Sequence, residues 1–156
     1  MSSISIPTGS AMHERGAHIA RCCRSGDLVI LSGDLGAGKT TFVQGMGSGL
    51  GVVEQITSPT FVIARVYPTP AGADLVHVDA YRLGSSLELD DLDLDSDLCS
   101  AITVVEWGEG KVEQLSEDRV VITITRSDSD DDETRVMSVA GFGARWDDTS
   151  LQELLA

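Results

Sequence analysis

The chain has 156 residues, of which 42% are hydrophobic, and a formal net charge of −14. That length suffices for a single domain over residues 1–156 with its own core, and no apolar run approaches the roughly 18 residues that a membrane span needs. The charge is uneven: residues 1–78 hold five acids and five bases, residues 79–156 twenty acids and six bases. An acidic half of this kind repels a phosphate backbone, so it suits a basic protein surface and excludes DNA or tRNA gripped directly by this chain.

In chain order, Met1–Pro7 has neither a basic residue nor a secretory apolar core, which predicts a cytoplasmic protein. Cys22, Cys23 and Cys99 are odd in number, two of them adjacent, and are read as free buried thiols. Met12, Ala17, Ile19, Ala20 and Cys23 fall on one side of a helix from Ser10 to about Arg24, with Ser10 as its cap and Gly26 as its stop. His13 and His18 are five apart, which misses the spacing of two metal ligands on one helix face, and are read as surface residues. Leu28–Leu31 is a short buried strand. A helix is predicted over Thr41–Leu50 although Gly45, Gly47 and Gly49 each cost up to about 1 kcal/mol there relative to Ala, a loss assigned to packing of the preceding loop.

Between that strand and that helix, Gly33-Asp34-Leu35-Gly36-Ala37-Gly38-Lys39-Thr40 fits the template G-x-x-x-x-G-K-[ST]. Glycines let such a loop curl until successive N–H groups point inward, and the helix behind it adds the positive end of its dipole. Gly33, Asp34, Gly36, Ala37, Gly38, Lys39, Thr40 and Thr41 are thus the candidate site for a nucleoside triphosphate. Lys39 would reach the β- and γ-phosphates, and the Thr40 hydroxyl would hold Mg²⁺.

Ile56–Thr60 is turn-like. The runs Phe61–Tyr67 and Leu75–Asp79, separated by a Pro/Gly-rich turn, predict an antiparallel hairpin. The segment Leu87–Asp95 alternates leucine with acid and is read as a short acidic helix capped by Ser85 or Ser86. Ala101–Glu106 has the character of a central parallel strand. Arg119–Thr125 and Arg135–Ala140 are two further strands joined by the acidic tip Ser127–Glu133, and a helix from about Ser150 to Leu155 closes the chain. The fold class is α/β: a three-layer P-loop NTPase-like fold with a mixed, mainly parallel central sheet and antiparallel additions. In such sheets ligands sit at the carboxyl ends of strands, where Asp79 and Glu106 each end a run. Either can hold Mg²⁺ while the other orients or deprotonates water. Thr60, by itself, belongs to a Pro turn leading into a strand; His77 and Trp107 are read as packing residues.

Taken together, GDLGAGKTT at Gly33–Thr41, SPTF at Ser58–Phe61, HVDAYRL at His77–Leu83 and Glu106-Trp107 resemble the bacterial TsaE (YjeE) family, closely from about Gly26 to Trp107. The resemblance implies a small ATPase that acts with TsaB and TsaD in making threonylcarbamoyladenosine in tRNA, meeting tRNA only through that complex. It implies that Lys39 and Thr40 bind phosphate and Mg²⁺, that Glu106 belongs to the metal site, that Asp79 and Trp107 are needed for activity, and that Thr60 lies in a switch-like loop. Two other functions compete. A small-molecule kinase would use arginines on a lid, yet only Arg65 and Arg82 lie between Lys39 and Lys111, and the loop is expected to be poor in arginine. A GTP-driven switch would carry an N-K-x-D motif, and the chain has no asparagine, which favours ATP.

Overall fold

The fully apolar run Leu28–Leu31 lies in the middle strand of one sheet. In the structure, a computed structural model that describes residues 2–34, 36–57, 64–70, 72–80, 98–107, 110, 112–127, 129 and 131–156, β2 (Leu28–Ser32) pairs in parallel with β5 (Ala101–Glu106) and β6 (Arg119–Arg126), and β5 in parallel with β4 (Asp74–Asp79). Antiparallel strands extend both sides: β3 (Ala64–Tyr67) beyond β4, and β7 (Arg135–Phe142) then β1 (Ser2–Ile6) beyond β6. The order is β1-β7-β6-β2-β5-β4-β3. This is the mixed sheet with a parallel centre that the sequence predicts, plus β1, which it does not. Ile4 and Ile6 are the only apolar side chains in SSISI, too few to mark a strand until β7 supplies its register. Thr60, residues 61–63 of the hairpin, the acidic segment 87–95, and Gly108, Glu109, Lys111, Asp128 and Asp130 lie outside the described residues.

Helices α1 (Gly9–Cys22), α2 (Lys39–Leu50) and α3 (Asp148–Leu155) pack on one face, where Met12, Ile19, Phe42, Met46 and Leu154 meet Leu31 and other sheet residues. The opposite face carries a smaller cluster that includes Leu28, Ile30, Val76, Val105 and Val112. The cap of α1 is Thr8, not Ser10: its hydroxyl accepts from the Ala11 N–H at 3.0 Å. Asp147 caps α3 in the same way through the Ser150 N–H. The three cysteines are free, but Cys22 and Cys23 are only partly buried and Cys99 is exposed, against the expectation that all three are buried. Burial pushes the Cys23 thiol up. Among the described residues no helix is long and apolar enough to cross a membrane.

The glycines of α2 are explained by α1 more than by the loop. A Cβ on Gly45 would lie 2.0 Å from the His13 carbonyl oxygen, one on Gly49 2.4 Å from that of Ala17, and one on Gly16 2.1 Å from that of Phe42. The two helices touch backbone to backbone, so close contact offsets the poor helix propensity and clamps α2 against α1. Gly45→Ala should therefore lower stability by about 1–3 kcal/mol although Ala is the better helix former. Chemical denaturation measures this, and an unchanged midpoint would mean that α1 can shift aside without loss.

Candidate functional site

Alternation along the strands decides which side chains meet. Leu31, Glu106 and Asp79 are register partners across β2, β5 and β4, at the carboxyl ends of three parallel strands. Leu31, Val104 and Leu75 belong to the helix-side core. Stepping two residues along each strand therefore places His77, Asp79 and Glu106 on the face that carries α2.

The loop leaves β2 and returns as α2 over this edge. Gly33, Gly36 and Gly38 have φ of 152°, 76° and 109°, and a Cβ on Gly33 would stand 2.6 Å from the Ile124 carbonyl oxygen. Only glycine meets both demands. Gly38 precedes α2 without any side-chain cap, so the amides of the first helical turn keep their capacity to bind an anion. Lys39, the first residue of α2, is buried, and its Nζ donates to the carbonyl oxygens of Gly33 and Asp34. Burial holds its ammonium below the usual lysine range, while Glu106, Asp34 and Asp79 pull in the other direction.

Glu106 is 4% exposed. Its Oε2 accepts from His77 Nε2 at 2.7 Å, and His77 itself is wholly buried, with Nδ1 lacking any partner among the described residues. Asp79, beside Glu106, is half-buried, and the Ala80 N–H donates to the Glu106 carbonyl, carrying the ladder one residue further. Trp107 follows with φ 61°, the one non-glycine in the left-handed region among the described residues. Such a conformation in a bulky residue costs about 1–3 kcal/mol and persists where surrounding structure enforces it. Here the Trp107 N–H donates to the Leu31 carbonyl, and the indole lies 4.4 Å from Lys39 Nζ in a cation–π contact.

Lys39, Thr40 and Thr41 on α2, the loop residues, Asp79, Glu106 and Trp107 are thus brought to one end of the sheet, while Thr60 lies outside the described residues. His77 is a core residue as expected, but it is also bonded to the carboxylate. Its position two residues before Asp79 was the available signal, since alternation puts both on one face. The expectation of a loop poor in arginine is corrected. Arg135 Nε donates to the Ala37 carbonyl at 3.2 Å and its Nη2 to that of Gly36 at 3.5 Å, while Nη1 reaches carbonyls of residues 132–134. Arg126 Nη1 stands 3.4 Å from where a Cβ on Gly36 would be. Because β6 runs parallel to β2, the end of β6 and the start of β7 flank the loop.

The candidate donors for a metal ion are all oxygen: the Thr40 hydroxyl and the carboxylates of Glu106 and Asp79. Among the described residues no group of three or more His, Cys, Asp or Glu could hold a metal ion. That set fits Mg²⁺, which takes one or two carboxylates and completes its shell with phosphate oxygens and water, better than it fits an ion needing a closed protein cage.

The family described as "Threonylcarbamoyl adenosine biosynthesis protein TsaE" matches residues 6–136, a wider span than the motifs alone cover. The chain is similar to the "tRNA threonylcarbamoyladenosine biosynthesis protein TsaE" of Streptomyces coelicolor, 57% identical over 138 residues that make up 86% of this chain and 93% of that protein. The protein so named in Bacillus subtilis is 39% identical over 121 residues, 77% of this chain and 75% of that one. Among solved structures, "Crystal structure of Bacillus subtilus YdiB" matches with a TM-score of 0.76 and 30% identity, covering 99% of this chain and 93% of that one.

Proposed function

The chain belongs to the TsaE family, and from that premise we propose that it is a Mg²⁺-dependent P-loop ATPase that serves, together with TsaB and TsaD, the threonylcarbamoyladenosine modification of tRNA. The observation that carries this reading is the convergence of the Lys39 ammonium, the uncapped start of α2 and two carboxylates at adjacent strand ends. The carbonyl oxygens of Gly33 and Asp34 that now accept from Lys39 are the contacts that phosphate oxygens would replace. The first-turn amides would receive the remaining phosphate charge. Thr40 and one of the carboxylates of Glu106 and Asp79 would hold Mg²⁺, which would supply charge neutralisation at the phosphates. Of the two carboxylates, the one not engaged there orients the attacking water and accepts its proton. Trp107, stacked on Lys39, holds that side chain at the loop. ATP is favoured over GTP because the chain, without asparagine, has no N-K-x-D motif. The acidic half favours a protein partner over tRNA itself.

One observation speaks for a kinase of the P-loop class instead: Arg126 and Arg135 stand beside the loop, where a phosphoryl acceptor could use them. A single experiment separates the readings. ATP hydrolysis and modified-tRNA yield are measured with and without TsaB and TsaD across a salt series. Hydrolysis should be slow alone and rise with both partners, and association should weaken as salt screens the acidic surface. Fast turnover alone with no response to the partners would withdraw the tRNA-modification role in favour of a self-sufficient ATPase or kinase.

A further inference from the structure

We propose that His77 is the positioning residue of Glu106, holding that carboxylate in the one orientation in which it serves the metal site. The proposal rests on the nucleotide reading above and deepens it. The glutamate side chain has several rotatable bonds, and the backbone restricts chiefly the first of them, leaving the carboxylate torsion broad. The imidazole fixes it from the neighbouring strand. Its Nε2 lies 2.7 Å from Glu106 Oε2, and both groups are shielded from water. An ionised carboxylate only accepts, so Nε2 carries a proton and donates to Glu106.

That Nδ1 has no partner among the described residues is the second observation. A residue present for packing alone would be apolar, since Leu or Phe fills such a site without withdrawing two ring nitrogens from water. The unmatched nitrogen is tolerated where its ring-mate does something that an apolar side chain cannot. With Oε2 engaged by His77, Oε1 is the oxygen left for a metal or for a metal-bound water. Carboxylates and imidazoles at metal sites are commonly fixed by such supporting hydrogen bonds, whose removal weakens metal affinity about 10- to 100-fold. His77 shares its face and strand with Asp79, so one short segment of β4 both supplies an acid and steadies the other.

The test is calorimetric ATP binding to the full chain, in excess EDTA and across a Mg²⁺ titration, for the wild type and for His77→Leu, His77→Asn and His77→Gln. Leu keeps the volume and removes the donor. Asn carries its amide near the Nδ1 position, too short to reach Glu106, whereas Gln carries it near Nε2. His77→Leu and His77→Asn should bind ATP as the wild type does in EDTA but need about 10- to 100-fold more Mg²⁺ for half-saturation, and His77→Gln should recover most of the difference. If His77→Leu does not fold, the Asn and Gln pair carries the comparison alone. Wild-type Mg²⁺ dependence in the Leu and Asn variants would overturn the positioning role and leave the nucleotide site standing. Failure of the wild type itself to bind ATP would overturn that reading and the proposal with it.

Discussion

Lys39→Met is expected to abolish measurable triphosphate binding and to lower ATP turnover by at least about 100-fold, while the protein stays folded. Methionine keeps a flexible apolar stem against the Trp107 ring, so no cavity opens under the indole. What is lost is the cation, together with its hydrogen bonds to the Gly33 and Asp34 carbonyls. The stability change has a definite sign. Burial depresses the folded-state pKa of Lys39 below the ordinary 10.5, so the unfolded chain binds this proton more tightly than the native state does. Carrying the charge therefore works against the fold at neutral pH, and that penalty is relieved as pH rises from the depressed value towards 10.5. The methionine variant should show a smaller gain in thermal stability than the wild type as the pH turns alkaline. Melting curves at several pH values and a nucleotide titration check both halves. A properly folded variant with wild-type turnover would end the P-loop assignment.

What could be read ahead of the structure follows the physics of each element. β2 and β5 were legible because strands covered on both faces leave apolar runs, Leu28–Leu31 without a break and Ala101–Val105 broken only by Thr103. The glycine-rich loop after β2 was legible because its glycines answer a local backbone demand at fixed spacing. Features made by the third dimension were not. β1 becomes a strand only through its register with β7. Gly16, Gly45 and Gly49 look like three weak helix positions until α1 and α2 are laid together. His77 and Glu106 are 29 residues apart and meet through the parallel pairing of β4 with β5. Arg126 and Arg135 approach the loop because β6 is the other neighbour of β2, a choice of strand order that no local pattern announces.

The second large effect belongs to Glu106→Gln, which should reduce turnover at least about 100-fold with ATP binding in EDTA preserved. Glutamine matches the volume, and its side-chain oxygen can still accept from His77 Nε2, so the pair survives as a neutral one. Removing a buried charge also removes its desolvation penalty, and the melting temperature should hold or rise. Loss of activity would then report the missing charge and not a damaged core. Asp79→Asn should impair turnover less, since that side chain is half-buried and not clamped by the imidazole. The two acids separate on Mg²⁺. If Glu106 serves the metal, as its fixed geometry indicates, its variant shifts the Mg²⁺ half-saturation upward and regains part of its rate at high Mg²⁺, whereas Asp79→Asn loses rate with little shift. The reverse pattern would exchange their roles. Wild-type rates for both variants, measured with TsaB and TsaD present, would return both carboxylates to a structural part.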